Sequence, residues 1–281
     1  MTSKLIFLDV DGTLLIPGEM NFSAGVVDAL HRARANGHKL FLCTGRNYRM
    51  ASPLLVHGFD GFVCSAGGYV GCGDKVLVDL PMQPEQAAGL RKALEAHGVE
   101  CTFEARDATF GGMKMIERFQ PMVEAAGQTL NSEAERWRKA MADGMTIRPL
   151  DEYQGQPIYK IVYIAEKESD LEEARAQYED QFVFCQSKMD LLSGGFVNGE
   201  LINRKFSKGS GIRAICRELG ASLADTIGFG DSDNDLEMAE TVALSVCMAN
   251  GSESLKAISD RICPSVYEDG IVSAFRELGL I

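Results

Sequence analysis

The chain has 281 residues, of which 46% are hydrophobic and 24% charged, so it can bury one large core or two modest ones and carries no long polar tract that would stay unfolded. A formal charge of −12 without any Lys/Arg block excludes a uniform nucleic-acid binder. No apolar run approaches the roughly 20 residues that span a bilayer, and the N-terminus lacks the basic and apolar segments of a signal peptide, so a soluble, cytoplasmic chain with no membrane partner is expected.

In chain order, residues 4–10 form the first strand, an apolar run that ends in Asp9 and Asp11. A helix over 24–36 follows, with Ser23 as N-cap and Gly37 as its stop. "HKLFLCT" is a strand apolar on both faces, as suits a parallel strand covered by helices on both sides. "GFVCSA" is a third strand, and "GYVGCGDKVLVDL" a hairpin turning at Gly73-Asp74. A helix spans 84–97. The pattern then changes to a strand at 99–105, helical segments at 113–126 and 132–141, a strand at "IYKIVYIAE", a helix near 168–178 and a strand at "QFVFCQS". Alternation resumes with a helix from Ser207 to Leu219, the short strand "TIGFGD", a helix from Asn234, the strand "ETVALSVC", a helix at 253–258, the strand "RICP" and a last helix at 270–278.

This order predicts an α/β protein, a doubly wound parallel-sheet core interrupted by an inserted α+β unit. The boundaries place the core at 1–81 and 188–281 and the insert at 82–187. The eight cysteines form no C-x-x-C pair and are expected as buried reduced thiols. The four histidines show no metal-ligand spacing and are expected at surface or loop positions.

Sites in open α/β sheets form outside the carboxyl ends of the strands. The first strand delivers Asp9 and Asp11, then Gly12 and Thr13. The second delivers Thr44, Gly45 and Arg46. "TIGFGD" delivers Asp231, followed by Asp233, Asn234 and Asp235, and "SKGSG" places Lys208 in the first turn of a helix. Carboxylates gathered this closely need a cation, and an all-oxygen set argues for Mg²⁺ over zinc. Lys208 at a helix N-terminus opposes the helix dipole unless an anion lies nearby. Such a group suits phosphoryl transfer, with Asp9 as nucleophile and Asp11 as an acid/base whose pKa must be raised. Two adjacent acids then have a reason to coexist, since they need different protonation states. Asp233 reads as a helix N-terminal acid. Thr44 is a phosphate donor or a plain N-cap, and Arg46 is a phosphate or substrate contact or a surface cation.

"DVDGTLL", "TGR", "SKG" and "GDSDND", in this order, resemble the haloacid dehalogenase superfamily, and more narrowly its Cof-type sugar-phosphate phosphatases, which carry a large α/β cap after the third core strand. The resemblance implies that Asp9 is both nucleophile and Mg²⁺ ligand and that Asp11 gives the metal its backbone carbonyl. It makes Asp231 the third protein ligand and places Asp235 close to the metal. Thr44 and Lys208 hold the transferring phosphoryl group, with Gly12, Thr13, Gly45, Arg46 and Asn234 on the phosphate side. Ala66 stands where the family often has Asn, and Asn47 where it often has Pro. Asn250 matches the pattern after the fourth motif. The expected activity is Mg²⁺-dependent hydrolysis of a small phosphorylated metabolite, most simply a sugar phosphate, through an aspartyl-phosphate. A phosphomutase and a non-catalytic sugar-phosphate-binding protein are the alternatives. The insert is expected to close over the site through segments at 79–84 and 187–199, and the oligomeric state is left open.

Overall fold

A computed structural model of the chain describes residues 3–111, 147–187 and 197–281. The helical segments expected at 113–126 and 132–141, and the Gly194-Gly195 pair, lie outside the described residues. Within them the chain divides into two compact units, residues 1–79 with 206–281, and residues 80–205.

The first unit is built on an eight-stranded sheet with the spatial order Arg261–Cys263, Leu244–Met248, Thr226–Gly230, Leu5–Leu8, Lys39–Cys43, Gly61–Cys64, Tyr69–Cys72, Lys75–Asp79. The first six strands run parallel, and the last two add an antiparallel hairpin at one edge. All four residues of Leu5–Leu8 are buried, as a central strand covered on both faces requires. Phe7 and Phe41 stack at 4.9 Å on one of these faces and pack with Val63, Ile212 and Ile215, the last two from the helix Lys208–Leu219. Full burial of each such side chain contributes roughly 1.5–3 kcal/mol. Ser23 caps the helix Ala24–Ala35 by accepting from the Val26 N–H.

Register decides where the polar residues fall. Leu8 lies opposite both Phe229 and Leu42, so Asp9 emerges beside the ends of the strands that deliver Asp231 and Thr44. The Asp9 N–H donates to the Phe229 carbonyl at 2.9 Å and extends that register one residue past the strand.

The second unit holds a six-stranded sheet, ordered Phe182–Ser187, Val197–Asn203, Ile158–Ala165, Glu100–Ala105, Thr109–Gly111, Ile147–Pro149. Helices Pro84–Glu95 and Glu172–Tyr178 contribute Leu90, Leu94 and Ala174 to a core with Phe103, Ile161, Tyr163 and Leu201. The boundary expected at 187/188 moves to 205/206. The cause is Val197–Asn203, which pairs antiparallel with Phe182–Ser187 and with Ile158–Ala165, and so belongs to this sheet. Its Asn198-Gly199 imitates a turn signal. Here the glycine admits close approach, because a Cβ at Gly199 would lie 2.5 Å from the Tyr163 Oη.

All eight cysteines are free thiols, six of them buried. His38 holds a loop position just after the helix Ala24–Ala35, and there it is buried, with its Nδ1 accepting from the Lys4 N–H at 3.1 Å. Among the described residues no helix is long and apolar enough to cross a membrane.

Candidate active site

Asp9, Asp231 and Asp235 each place a carboxylate oxygen within 4.8 Å of the others, and all three are buried. Lys208 is 1% exposed and reaches into this group from the first turn of its helix. Its Nζ donates to Asp9 Oδ1 at 2.7 Å, to Asp235 Oδ1 at 2.5 Å and to Asn234 Oδ1 at 2.8 Å. Asp235 is fixed from its other oxygen, which accepts from the Asp231 and Ser232 N–H groups at 3.0 and 3.1 Å. Thr13 Oγ1 lies 3.5 Å from Asp231 Oδ1. Directly after the two acids of the first loop, Gly12 adopts φ +82°, and a Cβ there would lie 2.2 Å from Asp231 Oδ2. No side chain other than hydrogen fits the position.

Three buried carboxylates share one ammonium, and the charge balance shows in their titration. Burial pushes the Asp9 carboxyl up to about 7, assisted by Asp235 and Asp11 and opposed by Lys208. Asp231 is raised well above the usual carboxylate range by burial, then by Asp9 and Asp235. Burial acts to lower the Lys208 pKa, but the Asp235 and Asp9 carboxylates outweigh it and raise the value. A hard divalent cation with oxygen ligands fits this donor set and would relieve the mutual repulsion.

Asp11 lies apart from the three. Its carboxylate accepts two bonds from Arg46, Nε to Oδ2 at 2.9 Å and Nη2 to Oδ1 at 2.7 Å. Arg46 is 4% exposed, which removes the surface-cation alternative. Thr44 is buried, and its hydroxyl accepts from the Arg46 N–H at 3.1 Å. The helix that follows is capped instead by Asn47, whose Oδ1 accepts from the Met50 N–H at 3.0 Å, so Thr44 is not an N-cap. Gly45 is buried between these two residues.

Asn234 is exposed, and its Oδ1 also accepts from Ser232 Oγ at 3.2 Å, so the residue orients Lys208. Asp233 stands outside the cluster, where it accepts from Ser252 Oγ at 2.7 Å and from Ser254 Oγ. Those two serines were not singled out in the sequence. Asn250 joins the site from behind by donating to the Gly12 carbonyl and accepting from the Val266 N–H, both at 2.9 Å. Ala66 holds φ 55°, ψ 25°, a left-handed conformation that Asn tolerates better than Ala.

Comparison with known proteins identifies the family. The sequence model described as haloacid dehalogenase-like hydrolase matches residues 6–275. The protein YkrA of Bacillus subtilis (strain 168) is 28% identical over 283 residues, spanning all of both chains. The HMP-PP phosphatase of Yersinia enterocolitica (serotype O:8 / biotype 1B, strain NCTC 13174 / 8081) is 28% identical over 262 residues, covering 90% of this chain and 86% of its own. Among solved structures, the HAD subclass IIB sugar phosphatase BT4131 superposes with a TM-score of 0.75 at 23% identity, over 99% of this chain and 100% of its own, which shows a shared fold.

Proposed function

The chain belongs to the haloacid dehalogenase-like hydrolases and is a phosphoric monoester hydrolase, and we propose that it is a Mg²⁺-dependent phosphatase of a small phosphorylated metabolite, a sugar phosphate being the simplest choice, acting through an aspartyl-phosphate. The observation that carries the reading is Lys208 Nζ bridging Asp9 and Asp235 at the edge where Asp231, Thr44 and Asp11 also emerge.

Asp9, Asp231 and Asp235 would hold the Mg²⁺, with the Asp11 carbonyl, and the ion would supply positive charge against the phosphoryl oxygens. A carboxylate oxygen of Asp9 attacks phosphorus, and the ester P–O bond breaks as Asp11 gives the departing oxygen its proton. Lys208 holds the nucleophile in place and offsets the charge that the incoming phosphoryl group adds. Thr44 and the backbone N–H groups of the loops after Asp9 and Thr44 supply donors for the phosphoryl oxygens. Water then attacks the aspartyl-phosphate and gives a proton to Asp11, which restores Asp9 and releases inorganic phosphate. Choice of ester is assigned to the inserted unit, residues 80–205.

Asp9→Asn tests the reading. With Mg²⁺ present, the variant is expected to lose all measurable turnover of 4-nitrophenyl phosphate while its thermal unfolding stays cooperative. Full activity in that variant refutes the covalent route. Net release of inorganic phosphate by the unmodified chain separates a hydrolase from a mutase, which returns none.

A further inference from the structure

The sequence left Arg46 with two roles, contact to phosphate or substrate and surface cation, and the structure gives it a different partner. Both oxygens of Asp11 are engaged by the guanidinium, at 2.9 and 2.7 Å. A two-pronged contact fixes the plane of the carboxyl group as well as its position, which a lysine ammonium could not do. The anchor itself is held by the backbone. The Arg46 N–H donates to Thr44 Oγ1 at 3.1 Å, and the Arg46 carbonyl accepts from the Ser65 N–H at 2.8 Å. The Ala66 N–H donates to the Thr44 carbonyl at 3.1 Å. Ser65 and Ala66 achieve these bonds at φ 49° and 55°, a left-handed pair that side-chain-bearing residues rarely adopt and that persists only where its surroundings enforce it. The next residue, Gly67, lies so close to the segment before Lys208 that a Cβ would meet the Ser207 carbonyl oxygen at 2.2 Å. A strained, close-packed turn thus ties the arm that holds Asp11 to the segment that delivers the lysine.

We propose that Arg46 is a positioning residue for Asp11. It presents the carboxyl group to the leaving oxygen and does not bind the phosphoryl group. The inference rests on the phosphatase reading, in which Asp11 is the acid. Its consequence is a loss that depends on the leaving group. A nitrophenolate departs without help, whereas a phenolate or an alkoxide depends on the proton that Asp11 delivers.

The experiment compares the unmodified chain, Asp11→Asn, Arg46→Met and the double variant on 4-nitrophenyl phosphate and phenyl phosphate, with Mg²⁺ present. Arg46→Met is expected to lose about 100-fold in kcat/KM, which reports the step that breaks the ester bond and not the later hydrolysis common to both esters, on phenyl phosphate and about 10-fold or less on 4-nitrophenyl phosphate. Each KM is expected to stay within about threefold, and the double variant to be no slower than Asp11→Asn alone, because residues acting through one another are not additive. A KM that rises equally on both esters, or losses that multiply in the double variant, would mark Arg46 as a phosphate contact and overturn the proposal. If circular dichroism shows Arg46→Met unfolded, Arg46→Lys takes its place, keeping the charge without the fork. The same split between esters is then expected, and equal losses on both overturn the proposal. Asp11→Asn reports on the reading beneath. If it shows no split, the acid role of Asp11 fails and the positioning role falls with it. A split in Asp11→Asn without one at Arg46 overturns the positioning role alone.

Discussion

Replacing Gly12 with alanine tests the geometry of the carboxylate cluster with one methyl group. Two effects act together. At φ +82° a side-chain-bearing residue is strained, at a cost of about 1–2 kcal/mol. The added Cβ would also lie 2.2 Å from Asp231 Oδ2 and 2.6 Å from its Cγ, roughly an ångström inside ordinary contact. Asp231 is buried and has little room to yield, so the displacement goes into that carboxylate or into the loop that runs from Asp9 through Gly12. A misplacement of about 1 Å at reacting groups lowers rates by about 100-fold. Gly12→Ala is therefore expected to lose about two orders of magnitude in kcat on 4-nitrophenyl phosphate, to need more Mg²⁺ for half-maximal rate, and to melt a few degrees lower. Gly37→Ala is the control. Gly37 has φ +87°, yet a Cβ there meets nothing within 4 Å. It should show only the smaller drop in melting temperature that backbone strain causes, and full activity. Undiminished turnover in Gly12→Ala, or an equal loss of turnover in Gly37→Ala, would refute the reasoning.

Lys208→Met leaves Asp9, Asp231 and Asp235 without their shared ammonium, so the apo chain should lose about 3–5 kcal/mol in urea titrations and recover part of it on adding Mg²⁺; an apo stability equal to the unmodified chain would show that the lysine balances nothing. Burial, with help from Lys4, lowers the His38 pKa below its ordinary 6.5. Below pH 6.5 the unfolded chain takes up a proton that the folded chain declines, so this contribution to stability is lost as pH falls from 6.5 through the folded value. His38→Asn should flatten that slope in denaturant titrations between pH 7 and pH 5 (about two units of scan around the ordinary value), and an unchanged slope would exclude the histidine as its source. Ala66→Gly relieves a left-handed alanine and should stabilise the chain by about 1 kcal/mol in thermal melts, whereas a destabilisation would mean that the methyl packs better than the backbone strains.

The residues at the strand ends were legible because the signal is local. An apolar run that stops at a carboxylate places that carboxylate at an edge, and the alternation of strands and helices puts the strands in one parallel sheet. This is how Asp9, Thr44, Asp231 and Lys208 could be brought together from the sequence. The Arg46–Asp11 pair was hidden because it is tertiary, made across 35 positions by a side chain with several plausible destinations. Val197–Asn203 was missed because 187–199 was read as a connecting segment, and only pairing on both sides makes it a strand. Thr109–Gly111 and Ile147–Pro149 span three residues each, too few for a period of two to register. His38 occupies a loop as expected, but its burial was not legible, because it goes with a contact to Lys4 across 34 residues.

The insertion also dictates a sequence of events during synthesis. Leu5–Leu8 leaves the ribosome first, but one of its two neighbours in the sheet, Thr226–Gly230, is translated more than two hundred residues later. Until then the innermost strand of the finished sheet has an unprotected flank, a natural docking place for chaperones and for wrong partners. The ammonium that touches Asp9 comes from 199 positions downstream, so a nascent chain stalled before Lys208 carries Asp9 without its counter-charge. Premature termination within the insert would therefore yield an inert, aggregation-prone fragment rather than a slow enzyme.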